Sequence, residues 1–200
     1  MKSIDIKGTA RTETGKKSTR ETRKAGSVPC VLYGEKKGEN GLPVATHFSV
    51  EVAELRNLVY TPNIYSVNLT IDGQECKAIL KDIQFHPVKD TILHVDFYEI
   101  TETKPIVMEV PISLNGLAVG VRAGGKLQAQ VRKLKVKAVY TSIPEKLDID
   151  VTALDLGKTI KVGELSFEGL ELVTPKEVVV CAVRLTRAAR GAAAAAAAGK

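Results

Sequence analysis

The sequence predicts a mainly β protein, and three observations carry that reading. Valine, isoleucine and threonine dominate the periodic segments. Most of those segments are short, and Gly, Pro, Asn or Asp bounds them. Between two of them, "IDGQ" places Asp72 and Gly73 where a two-residue hairpin turn needs residues that tolerate positive φ.

In order, strands are expected at Ile4–Thr12, Pro29–Tyr33, Pro43–Ser49, Tyr65–Ile71, Gln74–Phe85 and Thr91–Tyr98. Within this set, "SVEVAELRNLV" has Ser49 as a helix N-cap and Val52, Leu55 and Val59 at helical spacing. It predicts one short amphipathic helix lying on a sheet or barrel. The polar "TETKPIV" with Pro105 breaks the pattern, so a first domain is expected over residues 1–100. The second, residues 101–187, resumes with strands at Ile106–Leu114, Gln128–Tyr140, Lys146–Asp150 and Glu177–Leu185, and "KVGELSFEGLEL" holds a further strand or a turn. The alanine-rich tail, residues 188–200, has no apolar seam and is expected to be disordered.

The chain has 200 residues, a formal net charge of +6 and a pI near 9.2. The distribution is uneven: +5 over residues 1–34, −4 over 35–100 and +5 over 101–200. Such asymmetry suits a polyanionic partner. The three cysteines, Cys30, Cys76 and Cys181, are widely spaced among apolar residues and read as reduced thiols of a cytosolic protein. No apolar run approaches a membrane span, and no secretory leader is recognised.

"TGKKSTRETRKAG" is the most basic stretch. On a helical wheel Lys16, Lys17, Arg20, Arg23 and Lys24 share one side, with Ser18, Thr22 and Ala25 opposite. It has no apolar stripe to bury, and a segment of about ten residues is marginal as an isolated helix. One reading is a solvated or disordered basic arm. The other is an arm mobile in the free protein and ordered by nucleic-acid phosphates, where displaced counterions supply affinity.

"KDIQFHPVKDTILHVDFYE" forms the second constellation. Strand alternation puts Asp82, Gln84 and His86 on one face, opposite Ile83 and Phe85. The returning strand puts His94, Asp96 and Tyr98 opposite Leu93, Val95 and Phe97. Paired as a hairpin, the polar faces form a patch of donors and acceptors. Zinc bound by His86, His94 and Asp96 in a metal-dependent enzyme, a catalytic dyad, single-strand or minor-groove RNA recognition, and a plain solvated face all compete for it. "GVRAGGKLQ" lacks the spacing and Lys-Ser/Thr ending of a phosphate-binding P-loop and reads as a glycine-rich connection. In "VRKLKVKAV" the alternating Lys133, Lys135 and Lys137 read as a solvated strand face, an edge guard or RNA contacts.

With "RTETGKKSTRETRKAGSVPCVLYG", "KDIQFHPVKDTILHVDF", "GVRAGGKLQ" and "IPEKLDIDVTALDLGKTIKVGEL" in this order and spacing, the chain up to about Arg187 resembles the bacterial large-subunit ribosomal protein twenty-five family. The likeness is to its longer two-domain form, called CTC or general stress protein. The resemblance implies an N-terminal six-stranded β-barrel, similar to the anticodon-binding domain of glutaminyl-tRNA synthetase, and a second mostly β domain. It implies binding of 5S ribosomal RNA in the central protuberance of the large ribosomal subunit. The implied RNA contacts fall on Arg11, Lys16, Arg20, Arg23, Tyr33, Gln84, His86, His94 and Asp96. No catalytic residue, metal or cofactor is expected. Neighbouring ribosomal proteins are expected partners of the C-terminal domain, and a stress-linked protein adaptor acting through that domain is the other open alternative.

Overall fold

The computed structural model describes residues 2–34, 44–101 and 103–187. It divides into two compact units, one of Met1–Ile106 with Val139–Thr141, the other of Val107–Ala138 and the chain from Ser142. The expectation for the tail falls at residues 188–200, outside the described residues, as does the start of the strand expected from Pro43.

The first unit is a closed barrel. Its strands are β1 (Lys2–Ala10), β2 (Ser27–Tyr33), β3 (Thr46–Glu51), β4 (Tyr65–Ile71), β5 (Gln74–Phe85) and β6 (Ile92–Glu99), in the order β1-β3-β2-β6-β5-β4. Two neighbouring pairs, β1/β4 and β2/β6, run parallel. Closure removes the exposed edges that an open sheet presents. The β4–β5 turn forms as expected, with Asp72 and Gly73 both at positive φ (46° and 87°), the conformation whose twist matches the flanking strands.

Inward residues of every strand fill the barrel, centred on Phe48 and Phe97, whose rings lie 5.8 Å apart. Helix α1 (Lys16–Lys24) precedes β2, and helix α2 (Val52–Val59) follows β3 directly. Leu55 and Leu58 of α2 enter the core.

Several expectations are corrected here. Ser49 is not the α2 N-cap: it pairs within β3, its hydroxyl facing the Thr9 carbonyl, and Glu51 takes the cap position without a side-chain bond. The helix therefore starts two residues later than expected, and its inward face is Leu55 and Leu58, with Val52 at its first position left 44 % exposed. Strand β5 does not alternate uniformly. Cys76, Ala78 and Leu80 face the core and so does Ile83, because Lys81 is an extra residue between the Leu80–Phe97 and Asp82–Asp96 pairs. Phe85, expected on the apolar face, is 40 % exposed and rests on the Tyr60 ring, with centroids 6.4 Å apart.

The second unit carries two sheets. One has the order β10-β7-β9-β12, with β7 Pro105–Asn115, β9 Lys133–Val139, β10 Leu147–Asp150 and β12 Glu171–Leu172. The other is β11-β13-β8, with β8 Lys126–Ala129, β11 Thr159–Lys161 and β13 Val179–Arg184. The single strand expected over Gln128–Tyr140 is therefore two strands in different sheets. The chain changes sheet at Gln130–Arg132, where the Gln130 and Val131 amides both donate to the Val180 carbonyl.

The glycine-rich connection contains a short helix, α3 (Val119–Arg122), ahead of β8. "KVGELSFEGLEL" supplies both a turn at Val162–Glu164 and strand β12. On β9, Leu134, Val136 and Ala138 are buried beneath the lysine face. Lys135 and Lys137 reach Glu109 (3.9 Å) and Glu171 (2.9 Å), so two of the three lysines are paired on their own sheet.

Candidate nucleic-acid interface

Helix α1 buries no residue, and Gly15 at its N-cap supplies no side-chain bond. It packs on β2 through its hydroxyl side, where Ser18, Thr19 and Thr22 are half-buried. Since Cys30 and Leu32 of β2 point into the barrel, Pro29 and Val31 point outward, and the burial of Pro29 marks the helix footprint. Lys16, Lys17, Arg20, Arg23 and Lys24 are all exposed.

Two arginines tie the helix down. The Arg11 Nη2 donates to the Ser18 hydroxyl (3.0 Å) and the Glu13 carbonyl (3.3 Å), while its backbone amide donates to His47 on β3 (2.9 Å). At the other end, Arg23 donates from Nε (3.0 Å) and Nη2 (2.8 Å) to the Leu93 carbonyl on β6.

Beside the helix, the outer faces of β2, β6 and β5 carry a polar row. Gln84 pairs with His94, Asp82 with Asp96, and across β2 Val31 aligns with Asp96 and Tyr33 with Tyr98. The His94 Nδ1 lies 2.8 Å from the Asp96 carboxylate. An Nδ1–H donating there leaves the neutral ring's Nε2 as an acceptor. The Tyr33 and Tyr98 rings meet edge to face at 5.9 Å. The Tyr33 phenol is pushed above its ordinary range by burial first and then by the negative charge of Asp96 and Asp82, so it stays a hydroxyl.

His86 leaves this row. It stands past the end of β5, where its Nδ1 accepts the amides of Val88 and Lys89 (3.2 Å each) and its own amide donates to the Thr91 carbonyl (2.8 Å). Its ring is committed to the hairpin turn, and the tautomer is opposite to that of His94: Nε2 carries the proton. Thus the structure gathers Tyr33, Gln84, His94 and Asp96 next to the basic helix, and sets Arg11 and His86 at the borders.

Two further residues were not among the expected RNA contacts, although alternation already put Asp82 on the polar face. Asp82 faces Asp96 directly. His47 is exposed on the outer face of β3, level with Val31 and one strand further from Asp96. Alternation around the buried Phe48 and Val50 was the signal for His47. Among the described residues no group of three His, Cys, Asp or Glu could hold a metal ion, and no helix is long and apolar enough to cross a membrane.

A small closed barrel that sets a cationic helix beside a polar strand face offers a surface of the kind that nucleic-acid-binding proteins present to a polyanionic partner. The chain belongs to the ribosomal L25p family, whose model matches residues 6–97. Residues 105–187 match the ribosomal protein TL5 C-terminal domain. The chain is 73 % identical to large ribosomal subunit protein bL25 of Phocaeicola vulgatus over 97 % of its own length and 98 % of the relative's. The bL25 proteins of Bacteroides thetaiotaomicron (66 %, covering 98 % and 99 %) and Porphyromonas gingivalis (58 %, covering 96 % and 98 %) are similar along the same span. The chain is accordingly a structural, non-enzymatic protein of the large ribosomal subunit, in the two-domain form of its family.

Proposed function

We propose that the barrel, residues 1–100, binds 5S ribosomal RNA in the central protuberance of the large subunit, and that residues 101–187 form a separate β-rich domain serving other contacts. The observation that carries this reading is the placement of α1 on β2, which sets exposed cations beside the Tyr33–Gln84–His94–Asp96 row. Lys16 and Arg20, with Lys17 and Lys24, contact phosphates, and Arg11 supports the helix from beneath. The strand row meets base edges and 2′-hydroxyls across a shallow minor groove, where planar amide and imidazole groups match both donors and acceptors. Opposite tautomers let the two histidines serve different partners: Nε2 of His94 accepts from an amine or hydroxyl, and Nε2–H of His86 donates to a carbonyl, ring nitrogen or phosphate.

A hydroxyl-radical footprint of the full chain on 5S RNA tests the proposal. Protection confined to one helical segment and its adjoining loop is expected. Uniform weak protection along the RNA would reduce the protein to a non-specific cation.

A further inference from the structure

Leu93 is the extra residue of a β-bulge. Gln84 pairs with His94 and Phe85 with Ile92, so no residue of β5 stands opposite Leu93. A bulge interrupts the ladder and re-aims the backbone. Here the Leu93 carbonyl receives two N–H groups from one guanidinium, Nε and Nη2 of Arg23, across 70 positions of sequence.

Helix α1 has few other attachments. It has no buried side chain and no capping side chain, and the Thr22 hydroxyl bonds back to Ser18 within the helix (2.9 Å). Arg11 holds the first turn through Ser18, and Arg23 holds the last. A nine-residue helix is too short to persist unsupported. Arg23 also differs from its basic neighbours: two of its five N–H groups already have a partner in the free protein.

We propose that Arg23 is a positioning residue: its paired bonds to the Leu93 carbonyl fasten α1 to the β6 bulge and make the cationic helix and the strand row one rigid surface. Its value to RNA binding rests on the function proposed above; its value to α1 does not. Preorganisation of this kind lowers the ordering cost at binding. The fork geometry matters, because lysine restores the charge but offers a single ammonium point in place of two parallel N–H bonds.

The test uses the full chain as wild type, Arg23→Ala and Arg23→Lys. In the free protein, amide hydrogen exchange over residues 20–24 should accelerate about tenfold in both variants, while β2 and β6 stay protected. Unchanged exchange in Arg23→Ala would overturn the latch. With 5S RNA, Arg23→Ala should weaken binding about tenfold without changing the slope of log affinity against log salt, and Arg23→Lys should not restore it. A slope reduced by about one unit, recovered by lysine, would make Arg23 a phosphate contact and overturn the proposal. Should the wild type not bind 5S RNA at all, the RNA reading falls while the exchange experiment still decides the latch.

Discussion

His94 and Asp96, two residues apart on β6, are joined side chain to side chain at 2.8 Å on the outer face of the barrel. An i, i+2 pair on a strand points the same way, so one bond fixes both the imidazole's orientation and its tautomer. His94→Ala should cost about 1–3 kcal/mol of discrimination between 5S RNA and an unrelated duplex, with the salt slope unchanged. Asp96→Asn should do the same more mildly, since an amide can hold the ring by its oxygen but not stabilise it by charge. Parallel filter-binding titrations on the two RNAs check both, and equal losses on both would argue against a reading role for this pair.

The Arg20 guanidinium is exposed on α1 and has no hydrogen-bonded or ion-pair partner among the described residues. Arg20→Ala should lower the slope of log affinity against log salt by about one unit and weaken all RNAs alike. A salt series measures it, and a slope equal to that of wild type counts against phosphate contact.

The Cys30 thiol, sealed behind β2, is pushed up to about 12 by burial and by the nearby Asp96 charge, with Arg11 partly opposing. The native protein keeps this proton where the unfolded chain, near 9.0, has lost it. The unfolded state therefore binds fewer protons between these values, and stability from this group is full below pH 9.0 and falls as pH rises toward 12. Urea denaturation at two alkaline pH values, comparing the wild type with Cys30→Ala, isolates the slope. In the native state at pH 8.5, Cys30 should also resist iodoacetamide and label only once unfolded; peptide mass spectrometry distinguishes the outcomes.

Gly120 sits in α3, where alanine ordinarily improves a helix by about 1 kcal/mol. Here a Cβ would stand 2.6 Å from the backbone of Asp155 and Leu156, which cannot swing aside as a side-chain tip would. The clash outweighs the propensity gain, and Gly120→Ala should destabilise the second unit by about 1–3 kcal/mol. Thermal unfolding of the full chain, followed by exchange protection of β8 and β13, tests it; a raised melting temperature would show that the helix and the Asp155 turn can part.

Much of the barrel is legible in one dimension because a closed sheet with a single core repeats every second residue. That is why Tyr65–Ile71 matches β4, and why Gln84, His94 and Asp96 could be placed on a common outer surface. What stayed hidden depends on long-range pairing. The bulges at Lys81 and Leu93 shift the inward parity within one strand and strip a residue of its partner, and no local pattern in "LKDIQF" or "TILHV" marks them. Ser49 looked like a cap because a serine ahead of an apolar helical run usually is one; pairing with β1 and β2 claimed it first. His86 left the row that alternation assigned, since it lies past the end of β5 and its ring turns back to accept the turn's own amides. Arg23 looked like one more cation of the basic face, and only the folded chain brings Leu93 within its reach.

The barrel's connectivity has a bearing on the order in which the molecule is made. Strand β1 finds its parallel partner only when residues 65–71 arrive, and β2 must wait for β6, whose aligned residues begin at Val95. Contacts so distant in sequence form late in folding. The α1 segment leaves the ribosome early with its cations already in place, yet the carbonyl that anchors its last turn belongs to the barrel's final strand. On the function and latch proposed above, a nascent or truncated chain lacking β6 would attract RNA by charge with no fixed helix to present. Completion of the barrel would then be the event that converts a sticky peptide into a selective surface, withholding selective engagement from any copy that has not finished folding.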